Sequence, residues 1–401
     1  MTFPMLLTFT LAANPTSPTE HDFLRVATFN ASLSREEAGG LLRDLSTTDH
    51  PQIRNIAEIL QRVRPDIVLI NEFDYAPDGQ AVRLFQKNYL SVMQREFEPI
   101  EYPYFYVPEV NTGVASGVDL NNNGQVVNEP GSREYGGDAF GYGLFPGQYG
   151  MVLLSNRPID PKNIQCFREF LWKEMPGALL PEEEDGSPWY SKEALAVFRL
   201  SSKNHCVVPI QVDGRTIHAL ISHPTPPAFD GPERRNQKRN HDEIRLWADY
   251  ITGGDQATYL PLGSNKTPPE SFVILGDLNC DPHDGDSIPG AIQQLLDHPR
   301  VNSKIVPASS GGPDAARQQG GANLKHQGPP EHDTADFSDA VVGNLRVDYV
   351  LPSKDFQVLG GAIFWPTRAD PLARLVRMEP EVASSDHRLV YLDLRLAPAR
   401  D

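Results

Sequence analysis

Ser271-Phe-Val-Ile-Leu-Gly-Asp-Leu-Asn279 is the stretch from which the rest of the chain is read. Phe272 to Leu275 is a short unbroken apolar run with β-branched residues, the pattern of a strand buried on both faces. Gly276 ends the run, and Asp277 and Asn279 follow at alternate positions. If strand geometry continues, both side chains project the same way from the carboxyl end of the strand. An anionic acceptor then stands beside a neutral donor and acceptor, a pairing suited to a water, a metal or a phosphate oxygen. The alternative is a plain Asp-Asn turn after a core strand.

The same design recurs outward from this stretch. Leu24-Arg-Val-Ala-Thr-Phe-Asn30 reads as a strand with Asn30 at its end. Ile67-Val-Leu-Ile70 reads as another, running into Asn71-Glu72-Phe-Asp74. Between them lie helical spacing over Glu36 to Leu45 and a helix near Gln52 to Val63, with Ile53, Ile56, Ile59, Leu60 and Val63 on one face. Ala81 to Gln94 reads as a helix, Tyr102 to Val107 as an aromatic strand and Tyr149 to Ser155 as a strand. Val207 to Val212 and Thr216 to Ser222 form a hairpin around Asp213-Gly214, and the second arm ends at Ser222-His223-Pro224. A helix over Arg234 to Ile251 turns Ile244, Trp247, Ala248 and Ile251 inward. Leu345 to Leu351 carries Asp348, and Ser385-Asp386-His387 precedes a last strand, Leu389 to Leu394.

The bulk numbers bound this reading. The chain has 401 residues, of which 39% are hydrophobic, with 36 Pro and 31 Gly. That permits a sizeable core and calls for many turns and long connections. Formal net charge is −17, from 36 Lys+Arg against 53 Asp+Glu, which disfavours non-specific binding of polyanions. Three inserts stand out: 110–147, rich in Gly and Asn; 166–199, irregular and acidic; and 307–334, rich in Gly, Pro and Gln and expected to be mobile. Cys166, Cys206 and Cys280 match no zinc spacing. Isolated buried thiols are the preferred reading, with a Cys166–Cys206 disulfide as the alternative. Met1 to Ala13 is apolar and ends in Leu11-Ala-Ala13, so residues 1–20 read as a leader, and secretion or a periplasmic location is set against a cytoplasmic one. No other segment is apolar enough to span a membrane.

Asn30, Glu72, His223, Asp277, Asn279, Asp348, Asp386 and His387 now stand at strand ends. Taken together they are what phosphate ester hydrolysis requires: carboxylates for a hard cation, a base for water, and donors for phosphoryl oxygens. In order, the blocks Ala27-Thr-Phe-Asn30, Val68-Leu-Ile-Asn-Glu72, Gln148 to Ser155, Ser222-His223-Pro224, Gly276-Asp-Leu-Asn279, Arg346-Val-Asp348-Tyr-Val and Ser385-Asp386-His387 resemble the endonuclease/exonuclease/phosphatase (DNase I-like) superfamily. The inserts resemble a bacterial, often exported, branch of it.

The resemblance implies a four-layer α/β sandwich, with two mixed β-sheets packed face to face and helices outside, formed as one domain over 21–398. It also implies a divalent-metal-dependent phosphoesterase that hydrolyses phosphate mono- or diesters by in-line attack of an activated water. Its partner is then a phosphoester: a small molecule, a lipid headgroup or a nucleic acid. No stable protein partner is implied. A DNA or RNA endonuclease and a catalytically inactive binding module are the alternatives, and the intact residue set argues against the last. By resemblance Glu72, Asn30 and Asp386 hold Mg²⁺ or Mn²⁺. Asp277 handles the water and Asn279 a phosphoryl oxygen. His387 stabilises charge, His223 faces the leaving group, and Asp348 supports the histidines. Some relatives carry a glutamate that partners the first histidine. Glu109, Glu134 and Asp138 are the candidates here, and none sits in a matching motif.

Other features carry two readings. Asp119, Asn121 and Asn123, followed by Gly124, copy the first half of a calcium loop, so Ca²⁺ is set against a solvated Asn-Gly turn. Ser201 to His205 could meet a phosphate or form a hairpin edge. Arg234, Arg235, Lys238 and Arg239 form the one dense basic run, which more often is a solvated face. Tyr104 or Tyr106 could reach the site, but aromatics at such positions are more often core.

Overall fold

The computed structural model describes residues 23–262, 267–378 and 380–397. The leader read over residues 1–20 lies outside them. The strands are β1 (Leu24–Leu33), β2 (Ile67–Phe73), β3 (Tyr104–Tyr106), β4 (Met151–Ser155), β5 (Gln165–Cys166), β6 (His205–Val212), β7 (Arg215–Ser222), β8 (Phe272–Asp277), β9 (Ala335–Asp336), β10 (Asn344–Leu345), β11 (Asp348–Pro352), β12 (Phe356–Ile363) and β13 (Val390–Leu396). The helices are α1 (Gly40–Leu45), α2 (Pro51–Val63), α3 (Gln80–Phe85), α4 (Arg133–Asp138), α5 (Lys192–Val197), α6 (Arg235–Thr252), α7 (Gln293–Leu296) and α8 (Gly311–Gln319). No helix among the described residues is long and apolar enough to cross a membrane.

Two mixed sheets form the body, in the orders β12-β13-β1-β2-β4-β3 and β11-β8-β7-β6-β5. Strands β1 and β2 pair in parallel, as do β7 and β8, and the other neighbours run antiparallel. The apolar run of β8 explains the packing. Alternate side chains of a strand face opposite ways. Val273 and Leu275 join β1, β2 and β4 in the core between the sheets. Phe272 and Ile274 join Ile244, Trp247 and Ile251 of α6 in a second core. Helix α2 covers the far face of the first sheet through Ile53, Ile56, Ile59 and Leu60. Helix, sheet, sheet and helix are the four layers the sequence reading expects.

Several local expectations are corrected. Strand geometry does not continue past Asp277: Asn279 sits at φ 51°, and its amide donates to Asp277 Oδ1 at 2.9 Å. The Asp-Asn turn is the local geometry at these residues. Cys166 and Cys206 are register partners across β5 and β6 and are joined by a disulfide, while Cys280 is free and buried. Within 307–334, read as mobile, the chain forms α8, whose start packs on Trp365. A Cβ on Gly311 would lie 2.2 Å from the Trp365 carbonyl oxygen. The helix expected over Ala81 to Gln94 stops being α-helical at Phe85 and continues as a π-helical turn, Gln86–Leu90. Strand β12 was not foreseen, because Gly360-Gly361 interrupts its pattern.

Candidate active site

The strand ends meet along one rim. Asp277 closes β8 and is the register partner of Asp348, which opens β11. Asn30 in β1 pairs with Asn71, which precedes Glu72 in β2. Gly276 lets β8 pass close to the end of β7. It adopts φ 156°, and a Cβ there would fall 2.1 Å from the Ser222 carbonyl oxygen. His223, the next residue, is thereby brought beside Asp277.

Asp277 is the centre of the arrangement and is 1% exposed. Its Oδ2 accepts from Asn30 Nδ2 at 3.0 Å and lies 3.3 Å from His223 Nε2 and 3.7 Å from His387 Nε2. Burial opposes its charge, but the charge of His387 and the contacts from His223 and Asn30 outweigh burial and hold the carboxyl well below its usual range. His387 in turn puts Nδ1 2.9 Å from Asp348 Oδ2. Burial disfavours the imidazolium, yet Asp348 and Asp277 together lift His387 well above the usual histidine range. Burial also pushes Asp348 up to about 6, against the pull of His387. The hydroxyl of Thr334 donates to the same Asp348 oxygen at 2.8 Å, and Asp348 Oδ1 is buried without a partner.

His223 differs from His387. Its Nδ1 is buried and unpartnered, and none of Glu109, Glu134 or Asp138 reaches it. Glu109 pairs with Arg168, Glu134 is exposed, and Asp138 accepts the amides of Leu120 and Val127. Burial and then the nearby Lys203 charge lower the His223 pKa, against the pull of Asp277.

The other side of the rim is built from alternate residues at the end of β1. Asn30 Nδ2 donates to Glu72 Oε1 at 3.2 Å, and Ser34 Oγ to Glu72 Oε2 at 3.4 Å. Ser32 Oγ donates to Asp386 Oδ1 at 3.0 Å. Ser32, Glu72, Tyr149 and Asn279 all adopt left-handed φ here. Such strain is concentrated at functional sites and is held by the surrounding fold.

Two places are candidates for a cation. Asp277, Asp348 and His387 offer ligand atoms within 4.8 Å of one another, the one such group among the described residues. Its histidine is held toward the protonated form by the two carboxylates and already offsets one of their charges. Glu72 is the better anchor. Its partners are neutral donors, no Lys or Arg lies within ion-pair distance among the described residues, and Asp386 stands nearby on equally neutral hydroxyls. An oxygen-rich set of this kind fits a hard divalent ion.

The remaining expected sites separate from the rim. In the Asp119 loop, Asp119 accepts the amides of Asn123 and Gly124, Asn121 that of Asn123, and Asn123 that of Gln125. Its side-chain oxygens thus satisfy the turn itself. Of the basic run, Arg239 is buried and donates to the carbonyls of Leu200, Phe140 and Arg199, and Arg235 lies over the Trp189 ring. Tyr106 contacts Cys166 instead of the rim. Three residues at or behind the rim were not foreseen as site residues: Glu243, Thr334 and Tyr149; Lys203 belongs to the Ser201 to His205 stretch, read as meeting a phosphate or forming a hairpin edge. A lone Lys in Ser-Ser-Lys-Asn-His carries no motif, and only its burial marks it.

The family model described as Endonuclease/Exonuclease/phosphatase family matches residues 27–387. The chain belongs to this family. Solved structures similar to it include an endonuclease/exonuclease/phosphatase from Beutenbergia cavernae DSM 12333, with 17% identity, 94% of this chain and 72% of that chain covered, and a TM-score of 0.48. Truncated Caenorhabditis elegans TDP2 follows at 12% identity, 93% and 98% coverage and 0.43. A beta toxin from Staphylococcus aureus follows at 15%, 92% and 99%, and 0.41. No curated protein matches the chain. Members of this family are hydrolytic nucleases and phosphoesterases.

Proposed function

We propose that the chain is a divalent-metal-dependent phosphoesterase that acts on small or exposed phosphate esters. The observation that carries the reading is the convergence on Asp277 of Asn30, His223 and His387, with Glu72 held beside it by Asn30. Glu72, with Asn30 and Asp386 about it, would hold Mg²⁺ or Mn²⁺. When bound, such an ion polarises a phosphoryl oxygen and neutralises charge developing there.

The protein's own groups do the rest. Asp277 is ionised at neutral pH, so its free lone pairs orient the attacking water, and it accepts part of that proton's charge in the transition state. His387, charged and steadied by Asp348, donates toward the phosphoryl oxygens as negative charge grows. Asn279 adds a neutral donor. His223, on the leaving-group side, turns Nε2 toward Asp277 and steadies that carboxylate beside the departing oxygen.

Substrate class follows from charge. A duplex binder neutralises several phosphates with Lys or Arg, and here Arg235 and Arg239 are already committed within the fold. The comparison that tests the reading is cleavage of plasmid DNA against small mono- and diesters at low and moderate salt. Rapid small-ester hydrolysis beside weak nicking is expected. Efficient, salt-suppressed nicking would transfer the assignment to an endonuclease.

A further inference from the structure

We propose that Lys203 is a phosphoryl-binding residue of this site, its ammonium set among Glu243 and the strand ends that carry His223, Asp277 and Asn279. The inference rests on the phosphoesterase reading above and adds a residue that neither the strand-end motifs nor the resemblance assigns.

Lys203 is 6% exposed. Lysine is almost never fully buried unless it is paired, and an ammonium carries three donors. Among the described residues the sole hydrogen bond of the ammonium reaches the Pro224 carbonyl at 3.5 Å, the far limit for such a bond. Among the described residues no carboxylate lies within 4.0 Å of it, although Glu243, Glu72 and Asp277 all act on its charge. A buried ammonium so loosely held loses several kcal/mol of hydration, and an arriving phosphate restores the missing partner.

Its direction points to the substrate. Asn279 Nδ2 donates to the same Pro224 oxygen at 3.1 Å, so Lys203 and Asn279 converge on one spot beside Asp277. The charge of Lys203 also bears on His223. An anionic oxygen displacing the weak Pro224 contact would meet the ammonium and the amide together.

The position is built. Glu243 of α6 is buried, and its two oxygens accept the amides of Ser202 at 2.7 Å and Thr225 at 2.6 Å. It staples the segment before Lys203 to the segment after His223. His205, two residues on, is fixed by Ser201 and the Glu243 carbonyl. Lys203 thus enters the rim on a rigid mount.

The test is inorganic phosphate binding by calorimetry, with steady-state kinetics in parallel, for wild type, Lys203→Met, Lys203→Gln and Lys203→Arg. Circular dichroism and melting temperature establish which variants fold. In Lys203→Met or Lys203→Gln, phosphate affinity should fall about 10- to 100-fold, the range for a hydrogen bond to a charged group. Lys203→Arg should recover part of it. The Mg²⁺ concentration for half-activation should stay level or fall, since a like charge has left the surroundings of Glu72. A folded Lys203→Met or Lys203→Gln that binds phosphate as the wild type does would overturn the proposal, as would no phosphate binding by the wild type. Absence of turnover in a wild type that binds phosphate through Lys203 would instead overturn the phosphoesterase reading and leave the binding site standing.

Discussion

Asp348 Oδ2 lies 2.9 Å from His387 Nδ1, and both side chains are buried at the point where β11 meets the segment before β13. That contact fixes which face of the imidazole looks outward: Nε2 points toward Asp277 and the rim. It is also the first of the charges that raise the His387 pKa against burial. His387 therefore carries its proton through the neutral range because of where Asp348 stands.

Replacing Asp348 by Asn should keep the hydrogen bond's shape and remove its charge. Activity should fall by roughly 10²-fold, within the range for a group that supports acid–base chemistry. The sign of the pH effect is fixed. A protonated His387 is required, so the rate declines as pH rises through its pKa. Without Asp348 that pKa drops, and the alkaline decline should begin at lower pH. A pH–rate profile, with His387 titrated by NMR, checks it. An unmoved alkaline limb would separate the two residues.

Asp277→Asn is nearly isosteric and keeps the turn formed with Asn279. It should fold as the wild type does and lose on the order of 10²–10⁴ in rate. Circular dichroism and kcat on one purified sample test both halves. Near-normal turnover by a folded variant would remove Asp277 from its central place.

Stability should respond to Asp333, a buried carboxylate beside the rim with no hydrogen bond to its oxygens among the described residues. Burial, and then Asp281, Asp284 and Glu331, push it up to about 8. The unfolded chain releases this proton near pH 4, whereas the folded chain keeps it to about 8. From pH 4 to 8 the native state thus binds more protons, and stability falls as pH rises. Asp333→Asn should flatten that fall and raise stability at pH 8 by about 1–3 kcal/mol, since one pKa unit is worth about 1.4 kcal/mol. Urea midpoints across the pH range would show it, and a variant less stable than wild type at pH 8 would contradict it.

The parts of this molecule that were legible in the sequence share one feature: a local pattern ending at a polar residue. Phe272 to Leu275 announces a two-faced strand without any partner in view, and Asp277 follows it directly. The eight rim residues come from such strand ends, and the fold brings them together. What escaped depends on partners distant in sequence. The Cys166–Cys206 disulfide exists because β5 and β6 are neighbours, which neither segment states alone. Lys203 lies in Ser201 to His205, where a phosphate contact and a hairpin edge read alike, and it stands out only once Glu243 and Pro224 close over it. Strand β12 is masked by Gly360-Gly361, since glycine contributes nothing to a periodic pattern. Asn279 was legible as a residue but not in geometry, because a turn and a strand end look alike until φ is known.

The account's central claim is that a cation held at Glu72 is required for phosphoester hydrolysis. The most direct measurement is p-nitrophenolate release from bis-p-nitrophenyl phosphate and p-nitrophenyl phosphate, titrated with Mg²⁺ or Mn²⁺, for wild type and Glu72→Gln. The account predicts no turnover in EDTA, saturable activation of the wild type, and a half-activation concentration at least about 10-fold higher in Glu72→Gln, because a carboxylate ligand has become a neutral amide. Turnover that persists in EDTA, or a metal titration unchanged by Glu72→Gln, would contradict it.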